Sequence, residues 1–455
     1  MNNKPDIFSI NMLVATVGLL LLSPLLAQAK KYSLEEKADD GRVFAVEGKM
    51  TVSGELKTAA REQKVITMPL KVKANLYYQE RRLSGTGRDA KALRSLRYYE
   101  RAAAEIKVAK QVSFKQLSST HQLLVAQGTR ERVLFYSPRL MMKPNDLELL
   151  NVAGDSLAIL GLLPDQPVEI AETWTPDSWV IQMLTSTEAI NKSNLVCKLE
   201  SVNAGIAEIS FEGSIAGATS GTDASSTIKG RFKYDIAKKH MTQIDIIQTE
   251  KRSVGATSPG MNVTAKMSYT RTLLEKKSHL TDKLANSIPL EPDAQLLLVT
   301  FDATWNSRVT VGRNWKVFHK NSNVAVLRLL EKGSLIAQCN ISYVPTAAPG
   351  QHLSEKQFQT NIHTALGDKL TKITKAELLK TNDKLYIYRV IATGKSNGIE
   401  MNWLYYLCAN PDGRQTSFVF AVESKQQEKL ANRDVAIVTS IQFLKKPKSP
   451  QPAKP

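Results

Sequence analysis

From Phe44 onward apolar and polar residues alternate. Phe44, Val46, Met50, Val52 and Leu56 fall on one side, and Glu47, Lys49, Thr51, Ser53, Glu55 and Lys57 on the other. A period of two over that length predicts a long antiparallel strand with one buried face. Ile66, Met68, Leu70, Val72, Ala74, Leu76 and Tyr78 repeat the pattern after a polar turn at 61–64, so the pair reads as a large curved hairpin. Between 85 and 110 the pattern fits a strand (Leu96, Tyr98, Ala102, Ala104, Ile106, Val108) and a helix (Leu93, Leu96, Tyr99, Ala103, Ile106). The neighbouring strands favour strand. Residues 121–126 and 132–136 predict another hairpin about Gly128 and Thr129.

The character changes at Pro144. Short helices are predicted over 146–150, 155–163 and 177–184, separated by Pro164, Pro167 and Pro176, with an Asp or Asn near each start to cap the free amides. Strands resume over 195–202, 206–215, 227–236, 241–250 and 261–272. Pro289 and Pro292 mark a linker at 287–293. Beyond it, 305–344 packs three strand-like runs and two turns into forty residues. Ser354 and Gln357 form a capping box that opens a helix to about 366. Strands over 373–379, 384–393, 399–409 and 416–422 and a helix over 429–439 complete the pattern.

The expected fold class is α+β. Residues 30–286 form a long-stranded antiparallel meander curved into a half-barrel or clam, with short inserted helices. Residues 294–444 form an antiparallel sheet covered by helices, and 445–455 a disordered, basic, Pro-rich tail.

Length supports the division, since 455 residues exceed what one core usually holds. Hydrophobic content of 42% and aromatic content of 7% exclude wholesale disorder. A net charge of +18 implies attraction to polyanions. The N-terminus narrows that list: Lys4 precedes an apolar run over 12–26, and Ala27-Gln28-Ala29 matches a small-x-small cleavage pattern. Residues 1–29 therefore read as a signal peptide. The mature chain is expected to be periplasmic or extracellular, with no transmembrane segment after cleavage. Export argues against nucleic acid and leaves an anionic envelope surface as a possible partner. The three cysteines cannot form a disulfide framework, although Cys339 and Cys408 could bridge if their strands were neighbours.

Candidate chemistry is sparse. Gly85 to Ala90 matches G-x-G-x-x-A, with Glu105 at the distance of a ribose-binding acid. The loop follows Gln79-Glu80-Arg81-Arg82 rather than an apolar parallel strand, so it reads as a polar hairpin tip. Ser226 and Lys229 have S-x-x-K spacing but lack the partner motifs. The six histidines show no ligand spacing and read as surface or half-buried residues. No catalytic residue, metal ligand or cofactor is expected, and the chain is read as not an enzyme. Arg81, Arg82, Arg88, Lys91, Arg94, Arg97 and Arg101, interleaved with Tyr98 and Tyr99, form the densest basic patch. A solvated strand face or a contact with an anionic surface is expected there.

If the first sheet is cupped, Phe44, Val46, Met68, Leu70 and Tyr78 point inward beneath 147–163 and could hold a lipid or other apolar ligand. Trp174 would plug the end of the sheet or touch that ligand. If the sheet is closed, the same residues make a core.

Two resemblances bear on the reading. Arg313-Asn314-Trp315, Ala337-Gln338-Cys339-Asn340-Ile341-Ser342, the helix from Ser354 and Val438-Thr439-Ser440-Ile441-Gln442-Phe443 resemble the PsbP-like fold of PsbP and the Mog-type proteins. That resemblance covers a third of the chain. It implies a binding or assembly module that docks a protein partner, with no catalytic centre to carry over. The first part is similar to exported proteins of planctomycete-type bacteria and, in architecture, to the β-clam of LolA-like carriers. The expected function is exported, non-catalytic binding or assembly, with carriage of an apolar ligand as the alternative.

Overall fold

The structure is a computed structural model that describes residues 30–59, 65–86, 89–219, 222–255, 258–276, 279–331, 334–380 and 385–444. The expected signal peptide, the turn at 61–64 and the tail at 445–455 lie outside the described residues.

The alternating runs become β1 (Val43–Ala59) and β2 (Val65–Leu83), and the ambiguous stretch becomes β3 (Arg94–Val108). β4 (Gln111–Gln116), β5 (Leu123–Gly128) and β6 (Val133–Tyr136) follow. Then come α1 (Pro144–Leu150), α2 (Ser156–Ile159), β7 (Thr173–Trp174) and α3 (Ser178–Thr185). Asp155 caps α2 by accepting from the Leu157 amide at 2.8 Å. β8 (Ala189–Ser193), β9 (Val196–Asn203), β10 (Ile206–Thr219), β11 (Thr222–Asp235), β12 (His240–Arg252) and β13 (Gly260–Leu273) complete one antiparallel sheet of 13 strands. Its order is β6-β5-β3-β2-β1-β13-β12-β11-β10-β9-β7, with β4 on β3 and β8 on β10. The first and last long strands therefore lie side by side at its centre.

After α4 (Asp282–Asn286), β14 (Val299–Asp302) and β15 (Ser307–Val311) open the second half. β16 (Trp315–Lys320), β17 (Val324–Glu331), β18 (Ser334–Val344), α5 (Glu355–Leu366) and β19 (Leu370–Leu378) follow. β20 (Tyr386–Ser396), β21 (Ile399–Ala409), β22 (Gln415–Glu423), α6 (Gln427–Leu430), α7 (Arg433–Thr439) and β23 (Gln442–Phe443) end the described chain. They build a seven-stranded sheet ordered β16-β17-β18-β22-β21-β20-β19 and a three-stranded one ordered β14-β15-β23. The halves touch: the Thr300 amide donates to the Met142 carbonyl at 3.0 Å, and Arg313 Nη1 donates to the Phe135 carbonyl at 2.7 Å.

The structure corrects the expected α+β class. Strands hold 54% and helices 17%, so the chain is mostly β, dominated by antiparallel sheets rather than by a helix-covered sheet. The helical patterns at 146–150 and 177–184 form as α1 and α3, while two others break up. The stretch at 429–439 breaks between α6 and α7, where Ala431 and Asn432 both take positive φ. Residues 155–163 give one α-helical turn and then a 3-10 turn. The helix with the capping box forms as read, with Ser354 accepting from the Gln357 amide at 3.2 Å.

The possible Cys339–Cys408 bridge does not form. Both thiols are free and buried, and β22 separates their strands. Cys197 is also free and buried, and burial pushes its thiol up to about 12, far from thiolate reactivity.

Candidate functional site

The registers of β13, β1, β2 and β3 stack the inner face of the large sheet into seven rungs. The first carries Phe44, Glu80 and Arg97, and the second Arg271, Val46, Tyr78 and Tyr99. The third is Tyr269, Gly48, Leu76 and Ala102, and the fourth Met267, Met50, Ala74 and Ala104. Gly48 is required, because a Cβ there would lie 2.7 Å from the Tyr269 ring. The last three rungs are Ala265-Val52-Val72-Ile106, Val263-Gly54-Leu70-Val108 and Met261-Leu56-Met68.

Depth of burial divides these rungs. The first three are buried, apart from Leu273, the exposed partner of Phe44 on β13, and pack under Leu149, Leu157, Ile159, Leu162 and Leu184 of the helical insertion. The insertion reaches the fourth: Gly154, at φ +71, sits where a Cβ would lie 2.9 Å from Met267 Sδ. Beyond it, every side chain in the last three rungs is apolar. All of these are half-buried except Val263, which is 8% exposed.

The filled end holds an ion network. Arg97 donates to both Asp155 oxygens, from Nη1 at 2.8 Å and Nη2 at 2.7 Å, and its Nε donates to Glu80 at 2.9 Å. Arg271 donates through both Nη atoms to Glu36 at 2.8 Å and approaches Glu80 at 3.4 Å, and Arg82 stands 3.9 Å from Glu36. Arg97 also lies over the Tyr78 ring at 4.9 Å, while the Tyr78 and Ser156 hydroxyls share a hydrogen bond of 2.8 Å. Three carboxylates thus meet three guanidiniums, joining the N-terminal segment, the three strands β2, β3 and β13, and α2.

Charge and geometry argue that this network is structural. Its charges cancel, and none of its residues lines the depressions described on the sheet. Burial alone would push the Glu36 carboxyl up. Arg271's charge and hydrogen bonds, with Arg82 and the Met241 amide, instead hold it at about 2 against an ordinary 4.5. A carboxylate depressed on folding stabilises the protein above its unfolded pKa, and that contribution fades as pH falls through the folded value. Denaturant titrations should therefore lose about 3 kcal/mol from this group between about pH 5 and pH 2. The loss should be absent from Glu36→Gln, whose stability is already reduced at neutral pH. An acid limb of equal depth in that variant would contradict the assignment.

The sequence-level candidates do not converge. Phe44, Val46 and Tyr78 lie in the filled core, at 1%, 2% and 2% exposure. Met68 and Leu70 sit half-buried in the last two rungs at the other end of β2. Trp174 is on β7, at the far edge of the sheet, donating from Nε1 to the Leu162 carbonyl at 2.9 Å. The open end instead groups Met68 and Leu70 with Val52, Leu56, Val72, Ile106, Val108, Met261 and Ala265. Alternation identified several of these, but nothing in the sequence marks where the helical filling stops.

Two further expectations are corrected. The basic patch is largely internal: Arg81, Arg82, Arg94 and Arg97 are at most 5% exposed, because carboxylates and carbonyls from distant segments meet them. Arg88 lies outside the described residues. Of the histidines, His121 is 2% and His240 3% exposed. His121 Nδ1 pairs with Asp146 at 2.7 Å. Burial and the nearby Arg271 charge push His240 down. The Gly85 loop behaves as a hairpin tip: a Cβ there would lie 2.2 Å from the Lys91 carbonyl, and Gly87 lies outside the described residues.

The solvent face of β9 to β13 bears a depression of about 960 Å³ lined by Lys198, Lys229, Arg231, Glu212 and Asp245 among others. Glu212 stands opposite Lys229, and Arg231 opposite Asp245, while Lys198 pairs along its own strand with Glu200 at 2.8 Å, so acidic and basic groups are interspersed there. Among the described residues no group of three or more His, Cys, Asp or Glu is placed to hold a metal ion, and no helix is long and apolar enough to cross a membrane.

No protein-family model matches the chain, and no curated protein matches it. Among solved structures, one of lipid–protein interactions in lipovitellin aligns over 54% of this chain and 27% of that one, at 7% identity and a TM-score of 0.30. The chain thus spans about a quarter of that protein. The translocator domain of the autotransporter NalP from Neisseria meningitidis aligns over 85% and 90%, at 7% identity and TM-score 0.13. OmpF from Salmonella typhi aligns over 85% and 99%, at 8% identity and TM-score 0.13. At such scores neither a shared fold nor a shared role follows.

Proposed function

We propose that the chain is an exported, non-catalytic binding protein whose large sheet carries a lipid or other apolar ligand at the open end of its inner face. One observation supports this most directly. The last three rungs are wholly apolar and, Val263 apart, only half-buried, while the helices that fill the rest stop at the fourth. An acyl chain laid along them would remove apolar surface from water, at about 25 cal/mol per Å². The neutral ion network anchors the opposite end, so the sheet can hold its curvature without a ligand. Export rests on the leader-like pattern of 1–29.

Native mass spectrometry of the protein purified from its own host tests the reading. Apolar adducts are expected on the wild type and absent from Met68→Asp, with both proteins unfolding at similar denaturant concentrations. A clean apo mass for the wild type, or adducts that survive in Met68→Asp and Val72→Asp, would sink it.

A further inference from the structure

The solvent side of the strands behind the open end has its own character. Lys71 on β2 stands directly opposite Lys107 on β3, which stands opposite Val112 on β4. One rung along, Lys73 faces Glu105, which faces Phe114. Phe114 is 76% exposed and Val112 48%. The three lysines are exposed, and no ion pair to any of them occurs among the described residues. Two like charges directly across a strand pair destabilise a sheet unless an anion answers them. An aromatic ring left in water beside them adds a second unmet demand.

Cations flanking an exposed aromatic and an aliphatic side chain match the boundary of an anionic bilayer, where rings enter the headgroup layer and ammonium groups meet phosphates. β4 has a partner on one side only, so this patch lies at the rim of the sheet. We propose that the β2–β3–β4 rim docks on an anionic phospholipid bilayer, with Phe114 and Val112 in the headgroup layer and Lys71 and Lys107 on lipid phosphates. The inference rests on the carrier reading for its purpose. Leu70, Val72 and Ile106, on the inner face of the same strand segments, would be brought beside the membrane from which an apolar ligand is taken.

Flotation of the purified chain with phosphatidylcholine vesicles, with and without about a third of phosphatidylglycerol, tests it. Binding is expected only with phosphatidylglycerol and should weaken as salt rises. Lys71→Glu with Lys107→Glu should cut partitioning at least about tenfold, and Phe114→Ala several-fold. All three sites are exposed, so far-ultraviolet dichroism should be unchanged. No flotation, equal flotation on both vesicles, or flotation indifferent to these changes would overturn the proposal. So would binding to soluble polyglutamate as tight as to vesicles. The two readings fail separately: Met68→Asp should lose adducts and still float, and the double lysine reversal should stay down and keep its adducts.

Discussion

Arg97→Met should cost about 3–5 kcal/mol of stability, because it removes the cation between two buried carboxylates, leaving Asp155 uncompensated and Glu80 with only the Arg271 contact at 3.4 Å. Arg97 is fully buried and holds Asp155 and Glu80 within hydrogen-bond distance at once. Methionine fills a similar volume, so the loss reports charge rather than a cavity. The physical account predicts a rescue as well. Replacing Arg97 and Asp155 together with apolar residues of similar size should recover much of the stability, since Glu36 and Glu80 stay balanced by Arg82 and Arg271 and dehydrating charges offsets much of what their pairing contributes. Equilibrium denaturation near neutral pH measures both. A loss below about 1 kcal/mol in Arg97→Met would mean that water reaches the carboxylates and the network is not sealed.

Phe44→Ala is expected to cost about 3–5 kcal/mol, the range for deleting a buried aromatic ring. The ring is 1% exposed, with the Arg271 guanidinium 4.4 Å from its centroid and the His240 ring at 5.0 Å. Met68→Asp, half-buried at the other end of the face, should change stability by about 1 kcal/mol or less. The pair thus separates core from ligand surface on a single face of the sheet. Phe44→Ala should lower the denaturation midpoint and, while folded, keep apolar adducts; Met68→Asp should leave the midpoint nearly unchanged and lose them. A stable Phe44→Ala that loses its adducts would place the ligand in the filled end instead.

Much of the strand layout was legible in the chain itself. Alternation from Phe44 to Lys57 and from Ile66 to Tyr78 fixed two strands and assigned each residue to a face, because a pleated strand has no other way to separate oil from water. The capping box at Ser354 was equally local. Alternation names a face but not a depth, and so the reading grouped Phe44 with Met68, although they stand on the first and the seventh rung.

The basic run failed for a related reason. Arg97 looks like a surface residue until Asp155 arrives, 58 positions away, and Arg271 meets Glu36 across 235 positions. Local pattern also overstated the helices, since a turn or two of helical spacing commits the backbone to little. The amino-acid sequence by itself determined where most of the long strands run and which side of each is apolar. Tertiary structure alone decided that β1 lies between β2 and β13, that the helices fill one end of the inner face, and that the arginines are buried in pairs. Each of these depends on contacts between segments far apart along the chain, which carry no local periodicity.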